Sequence, residues 1–203
     1  MPFPPQDKTS LRRQFRAARH EIDDERRQLA NRAINRSIAN LCEIRRPSRI
    51  AAYLAFDGEP DIAEALTGLD RDGVEVYLPV ITAELESREL NFRHWHASVA
   101  EGTSSELQRN SFGIHEPTGG MHCHVSDFDL MLIPLVAWDD AGGRLGMGAG
   151  FYDRALSGVA ESGVPLRIGI AYQAQRAKAV PMTAGDVRLH GVITEKGLFT
   201  FGD

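Results

Sequence analysis

The sequence predicts an α/β protein built on a mostly parallel sheet with helices on both faces, and three observations carry that expectation. Strand-like and helical patterns alternate after residue 47, and a nearly continuous apolar run over 129–138 has the character of a strand covered on both sides. A glycine-rich stretch then joins that run to a following helix. Such units are linked by right-handed crossovers. The 203 residues suffice for one core-burying domain over 1–203, with a helical arm over 1–46.

The arm is read from two helices. Over 10–20, Leu11, Phe15, Ala18 and Ile22 recur at helical spacing while Arg12, Arg16 and Arg19 share another face. For Arg16 and Arg19 a solvated helix face is the ordinary reading of such a basic stripe. A second helix starts at Asp23 or Asp24 as N-cap, runs through Leu29, Ala33, Ile34, Ile38 and Leu41, and is stopped by Pro47.

A strand over 49–56, a helix over 61–70 and a strand over 74–81, with Asp72-Gly73 as the turn, make a βαβ unit. Residues 89–95 suit another strand, and 97–108 a polar connection. In the apolar run, Pro134 predicts a bulge or a locally unpaired position. Asp139-Asp140-Ala141-Gly142-Gly143 signals a turn, after which come the glycine-rich segment, a helix from about 151 to 162, and a buried strand over 166–172.

Composition narrows the function classes. A net charge of −5 argues against a general surface for nucleic acid or anionic membrane, which draws on excess Lys and Arg. Cys42 and Cys123 are too few for a disulfide framework and point to a reducing compartment. The N-terminal residues show no apolar core with a cleavage site, and no stretch approaches bilayer length, so the expected address is the cytoplasm.

The chemistry concentrates in Arg144-Leu145-Gly146-Met147-Gly148-Ala149-Gly150-Phe151-Tyr152-Asp153. Three glycines let the backbone take positive φ and approach a ligand closely, so that several N–H groups and the following helix N-terminus face one point suited to phosphate. Arg144 adds a forked cationic donor, and Asp153 either complements the helix dipole or, beside a triphosphate, ligates Mg²⁺. A tight turn without a ligand is the plainer alternative. Gly-Lys-Ser/Thr is absent, and the spacing is not Gly-x-Gly-x-x-Gly, which disfavours both a P-loop and a dinucleotide-binding Rossmann site.

A buried strand, Asp, a turn, and then Arg-Leu-Gly-x-Gly-x-Gly-Tyr/Phe-Tyr-Asp resembles the signature of the 5-formyltetrahydrofolate cyclo-ligase family, also called methenyltetrahydrofolate synthetase. Lys8 with Leu11-Arg12, Tyr53-Leu54 with Glu59, Phe112-Gly113-Ile114-His115-Glu116-Pro117, and Pro181 with Asp186 extend the resemblance over almost the whole chain. It implies a three-layer α/β/α fold, Rossmann-like in outline. It also implies that 5-formyltetrahydrofolate, ATP and Mg²⁺ give 5,10-methenyltetrahydrofolate, ADP and phosphate, through phosphorylation of the formyl oxygen and attack by N10.

By the same resemblance, Lys8, Arg12, Arg144, Leu145, Gly146, Met147, Gly148, Ala149, Gly150, Phe151 and Tyr152 hold ATP. Asp153 and Asp186 lie near Mg²⁺, and Leu54, Glu59, Met147 and Phe151 line the folate site. Arg144 takes the transition-state charge role, and Tyr152 positions phosphate or folate by its hydroxyl. Many relatives carry Lys or Gly where this chain has Ala149, so charge at that point must come from Arg144, Lys8 or Arg12.

The expected partner is the small-molecule folate, without nucleic acid or membrane, for a monomer or weak homodimer. Two rivals are a nucleotide- or folate-binding module without turnover and a sugar-phosphate enzyme on a related scaffold. His122-Cys123-His124 reads as a polar loop, since adjacent ligands point apart. His94-Trp95-His96 reads as strand alternation, and Asp57-Gly58-Glu59-Pro60 as a turn.

Overall fold

The structure, a computed structural model, describes residues 7–81, 90–97, 106–159 and 163–202. In chain order the elements are α1 (Lys8–His20), α2 (Asp24–Arg45), β1 (Arg49–Ala51), α3 (Ala63–Arg71), β2 (Glu75–Ile81) and β3 (Leu90–Trp95). Then come β4 (Leu107–Arg109), β5 (His115–Pro117), β6 (His122–Cys123), β7 (Leu130–Pro134), β8 (Ala137–Trp138) and β9 (Arg144–Leu145). The C-terminal part holds α4 (Phe151–Ser157), β10 (Leu166–Ile170), β11 (Gly191–Thr194) and β12 (Gly197–Thr200).

Local chemistry sets the helix ends. Asp7 caps α1 by accepting from the Ser10 N–H, and Asp23 caps α2 by accepting from the Arg26 N–H, each satisfying a donor that the first turn leaves open. After α2, Arg46 takes a left-handed φ of 48°, and Pro47 prevents continuation.

One sheet has the order β12-β11-β10-β7-β1-β2-β3-β6. Its five central strands are parallel, and β12, β3 and β6 pair antiparallel toward the edges. Between β1 and β7 the direction of progress through the sheet reverses. Loops leaving the carboxyl ends of two strands diverge there and open a crevice, the usual position of a ligand in an open α/β sheet.

Both sheet faces are covered. On one side Ile34 and Ile38 of α2 and Leu66 of α3 pack over Ile50, Val76, Leu130 and Ile168. On the other, Leu156 of α4, Phe128 and Trp138 cover Met131, Ile133 and Val192. Alternate residues of β7 therefore serve opposite cores, which accounts for its unbroken apolar run. Helix α1 sits outside these layers, with Leu11 and Phe15 packed on Val136, Ala137, Leu145, Ala177 and Val180.

Several elements depart from expectation. Strand β1 stops at Ala51; Ala52 makes one more bond, from its N–H to the Tyr77 carbonyl at 2.9 Å, and the chain then turns away from the sheet. Pro134 does not make a bulge: it ends β7 opposite Ile170, and Ala137–Trp138 enters a separate hairpin with β9. Helix α4 ends at Ser157 rather than near 162, with Gly158 as its cap, and residues 160–162 lie outside those described. The same holds for Glu89 and for most of the expected connection over 97–108. Strands β11 and β12 complete the sheet beyond the elements that the sequence pattern predicts. Among the described residues no helix is long and apolar enough to cross a membrane.

Candidate active site

Three segments meet at the reversal point: the loop after β1, the glycine-rich loop between β9 and α4, and the inner face of α1. The glycine loop is placed by the β8–β9 hairpin. Buried Asp139 shapes the turn by accepting from the N–H groups of Ala141 and Gly143, and its other oxygen accepts from the Val180 N–H at 2.7 Å. A Cβ at position 143 would lie 2.8 Å from the Asp139 carboxylate, so the turn requires glycine there. This brings Arg144 into the interior at the start of the loop.

Within the loop, Gly148 has φ of 109° and Gly150 of 71°, values that exact a penalty from any residue with a Cβ. Gly146 does not share this requirement: its φ is not positive and its missing Cβ faces only the Arg144 guanidinium at 3.6 Å. The expectation of positive φ is thus met at two of the three glycines. Gly150 caps α4 with no side chain accepting from the first turn, so the N–H groups of that turn have no capping side chain. The helix is only seven residues long, so these individual donors matter more than a macrodipole.

Arg144 is 5% exposed and donates from Nη2 to Asp153 Oδ1 at 2.6 Å; its guanidinium lies 5.6 Å from the Tyr152 ring centre. Its Nε is buried without a hydrogen-bond partner among the described residues. A buried guanidinium with an unsatisfied donor is costly unless something accepts from it. Asp153 Oδ1 also accepts from the Val187 N–H at 3.2 Å, which draws the neighbouring Asp186 toward the same strip.

The two expected metal carboxylates are each engaged by a residue expected to bind phosphates. Asp153 pairs with Arg144, and Asp186 Oδ2 accepts from Lys8 Nζ at 2.6 Å. Burial opposes ionisation of Asp186, but Lys8 and the Thr183 N–H and hydroxyl outweigh it and hold the carboxyl below its usual range. No group of three or more His, Cys, Asp or Glu able to hold a metal occurs among the described residues. Two carboxylates beside phosphate donors suit Mg²⁺, which keeps water and substrate phosphate as ligands. They do not suit a cation needing a full protein cage.

Helix α1 closes the loop from above. Arg12 Nε donates to the Gly146 carbonyl at 2.9 Å, and a Cβ at Gly148 would lie 3.2 Å from the Arg12 guanidinium carbon. Arg19 does not lie on a solvated face, whereas Arg16 stays exposed to solvent. Both reach Asp57, at 2.9 and 2.7 Å, and Arg19 has no solvent exposure. Their partner lies about forty residues away in sequence, beyond the reach of helix periodicity.

The loop after β1 turns at Asp57-Gly58, with φ of 52° and 77° and the Glu59 N–H bonded to the Phe56 carbonyl at 3.0 Å. Successive positive φ values at Asp-Gly mark the turn anticipated there. Glu59 is thereby directed inward, its side chain 11% exposed. Burial pushes its carboxyl up to about 7, against Arg19 and the Phe56 N–H, which favour the charged form, while Asp57 adds to the rise. The Tyr152 hydroxyl is raised by burial and by Glu59 and lowered by Arg144, so the glycine loop and the Glu59 loop share one electrostatic environment. Leu54 is half-buried against the α2–α3 core.

The outer side of this site is apolar and accessible. Met147 is 49% exposed, Phe56 37% and Phe112 46%, and Phe151 is half-buried beneath the Arg154 guanidinium at 5.7 Å. Arg154 reaches back from α4 to donate to the Ala149 carbonyl at 2.6 Å. A cation therefore stands at position 149 although the residue itself carries none. Arg19, Asp57 and Arg154 stand beside the candidate site without having been expected there; the basic stripe and the Asp-Gly turn were signals for the first two, and nothing local in the sequence marked the third.

The residues align with known proteins over most of the chain. A family model described as the 5-formyltetrahydrofolate cyclo-ligase family matches residues 4–195. The 5-formyltetrahydrofolate cyclo-ligase of Haemophilus influenzae is 31% identical over 191 residues, covering 93% of this chain and 97% of the relative. That of Escherichia coli K12 is 36% identical over 147 residues, covering 71% and 76%. The NMR structure of Aquifex aeolicus 5,10-methenyltetrahydrofolate synthetase superposes with a TM-score of 0.76 at 29% identity, covering 97% of this chain and 93% of that one.

Proposed function

The chain belongs to the 5-formyltetrahydrofolate cyclo-ligase family, ligases of folate one-carbon metabolism, and from that premise we propose its reaction in detail. The enzyme cyclises 5-formyltetrahydrofolate to 5,10-methenyltetrahydrofolate, with ATP converted to ADP and phosphate. Residues 1–203 act as one catalytic unit, monomeric or weakly dimeric, in the cytoplasm. The observation that supports this best is the meeting of a glycine-built loop, the unsatisfied buried donor of Arg144 and the inward Glu59 at the sheet's reversal point.

An amide-like formyl oxygen leaves poorly, so attack of N10 on the formyl carbon needs that oxygen activated. Transfer of the γ-phosphoryl group from ATP to the formyl oxygen supplies the activation; N10 then forms the new C–N bond and gives up its proton, and phosphate departs with the oxygen. Such transfer depends on alignment and on neutralising oxygens. Arg144 is the charge-stabilising residue, because its Nε is buried and has an unsatisfied donor. Lys8, Arg12 and the N–H groups from Gly146 to Tyr152 hold the phosphates, with Leu145 and Ala149 contributing backbone.

Mg²⁺, when held by Asp153 and Asp186 with the phosphates, supplies further neutralisation of their oxygens. Leu54, Glu59, Met147 and Phe151 receive the folate, the apolar side chains against its rings and Glu59 against its polar edge. Tyr152 orients the reacting groups beside Arg144. The test is incubation of the purified protein with 5-formyltetrahydrofolate, ATP and Mg²⁺. The methenyl chromophore and ADP should appear together and only with all three; chromophore without ATP, or none at all, refutes the reaction.

A further inference from the structure

Arg19 is fully buried on α1, and of its guanidinium only Nη2 has a hydrogen bond, to Asp57 Oδ2 at 2.7 Å. Nε and Nη1 have no hydrogen-bond partner among the described residues, and Nη1 lies 4.0 Å from Glu59 Oε1, within ion-pair range but beyond a hydrogen bond. Burying an arginine in this way opposes stability unless charge is balanced nearby. Packing alone gives no reason for a guanidinium here, where Leu11 and Phe15 supply the apolar contacts of the same helix.

The Asp57-Gly58 turn supplies the reason. It places one carboxylate on each side of the guanidinium, Asp57 in direct contact and Glu59 farther inward. Asp57 is further held by Arg16 and by His20 Nε2 at 3.1 Å, so it is firmly fixed. The groups facing Glu59 are Arg19 from α1, Asp57, Tyr53 and the Phe56 N–H from its own loop, and Tyr152 from α4. The Tyr53 hydroxyl is directed to the Pro60 carbonyl at 2.8 Å. Arg19 is the one cation in that set.

We propose that Arg19 is a positioning residue for the folate site: through Asp57 it fixes the turn, and its charge keeps Glu59 an acceptor for the N–H donors of the substrate's heterocycle. The role rests on the folate-binding reading given above for Glu59. A protonated Glu59 presents one acceptor fewer and a donor where the ligand also donates, so binding weakens as the carboxyl takes up a proton. Burial pushes that carboxyl up to about 7 even with Arg19 in place, so its charge state is decided close to neutrality.

The test is the pH dependence of kcat/KM for 5-formyltetrahydrofolate, followed by ADP release at saturating ATP, in the wild type and in Arg19→Gln, Arg19→Lys, Asp57→Asn and Glu59→Gln. In the wild type kcat/KM falls as pH drops through about 7. Arg19→Gln moves this fall upward by about one pH unit, so the deficit is about fivefold at pH 7 and nearly gone at pH 9, with the KM for ATP unchanged. Arg19→Lys leaves the fall in place, Asp57→Asn moves it downward by removing the competing negative charge, and Glu59→Gln abolishes it.

A loss in Arg19→Gln that is equal at every pH and equal toward ATP makes Arg19 merely structural and overturns the proposal. If Arg19→Gln does not fold, an unmoved profile in Asp57→Asn overturns it instead. Wild type without turnover of 5-formyltetrahydrofolate refutes the underlying reaction, a result distinct from either.

Discussion

At Glu59 burial and a nearby guanidinium act in opposite directions, and burial prevails: the carboxyl rises from 4.5 to about 7. Between those values the native state holds a proton that the unfolded chain has released. Its stabilising contribution is therefore complete below about 4.5 and is lost as pH rises through 7. Glu59→Gln should flatten this dependence and make the protein more stable than wild type at pH 8, by up to about 3 kcal/mol. Urea denaturation at pH 5 and pH 8 measures it; equal slopes in both proteins would exclude Glu59 as the source. Arg144 differs, since its charge is paired with Asp153. Arg144→Ala should lower turnover by about 10²–10³-fold. It should also cost about 2 kcal/mol of stability through the lost charged hydrogen bond, less than would unfold a domain, and thermal denaturation beside the kinetic assay separates the two effects.

The glycine loop shows how one element divides its positions. Ala at Gly146 meets no backbone conflict and should leave thermal stability unchanged. Ala at Gly148 or Gly150 enters a left-handed conformation and crowds Arg12 or Arg154, at 3.2 and 2.9 Å. Each should destabilise by about 1–2 kcal/mol and raise the KM for ATP, because the loop's N–H groups change direction. Equal melting temperatures and equal ATP constants across the three variants would show that the loop's φ values are not required. Helix α1 belongs to the same element-scale argument. Phe15 is 7% exposed against the β8–β9 hairpin, and Phe15→Ala should cost about 3–5 kcal/mol, with loss of the Arg12 contact to the loop.

For the molecule as a whole, the C-terminal hairpin is not an appendage. Val192 and Ile193 of β11 are fully buried on opposite cores, and β12 covers the edge that β11 would otherwise expose. Ending the chain after His190 removes a strand of the parallel set and leaves β10 as an unpaired edge, which invites association. The shortened chain should fail to give a soluble protein with native circular dichroism; a folded monomer would show that the first four parallel strands suffice. The pairing also joins residues far apart in sequence, since β1 lies between β2 and β7. That arrangement creates the crevice in which the three segments of the site converge.

By itself the sequence determined the α/β alternation, the start of α2 at Asp23 or Asp24, the doubly buried character of β7, and the glycine-rich segment between Arg144 and Asp153. These are local properties: period, cap chemistry and glycine spacing act within a few residues. Tertiary structure alone decided that Pro134 ends a strand, that β11 and β12 complete the sheet, and that Gly146 is unconstrained while Gly148 and Gly150 are not. It also decided the fate of the basic stripe on α1. Helical spacing placed Arg16 and Arg19 on a common face, but whether that face meets water or an Asp57 some forty residues away depends on where the chain after β1 turns. An ionisable residue's environment is set by burial and by charges brought in from other elements, and neither is written in the residues beside it.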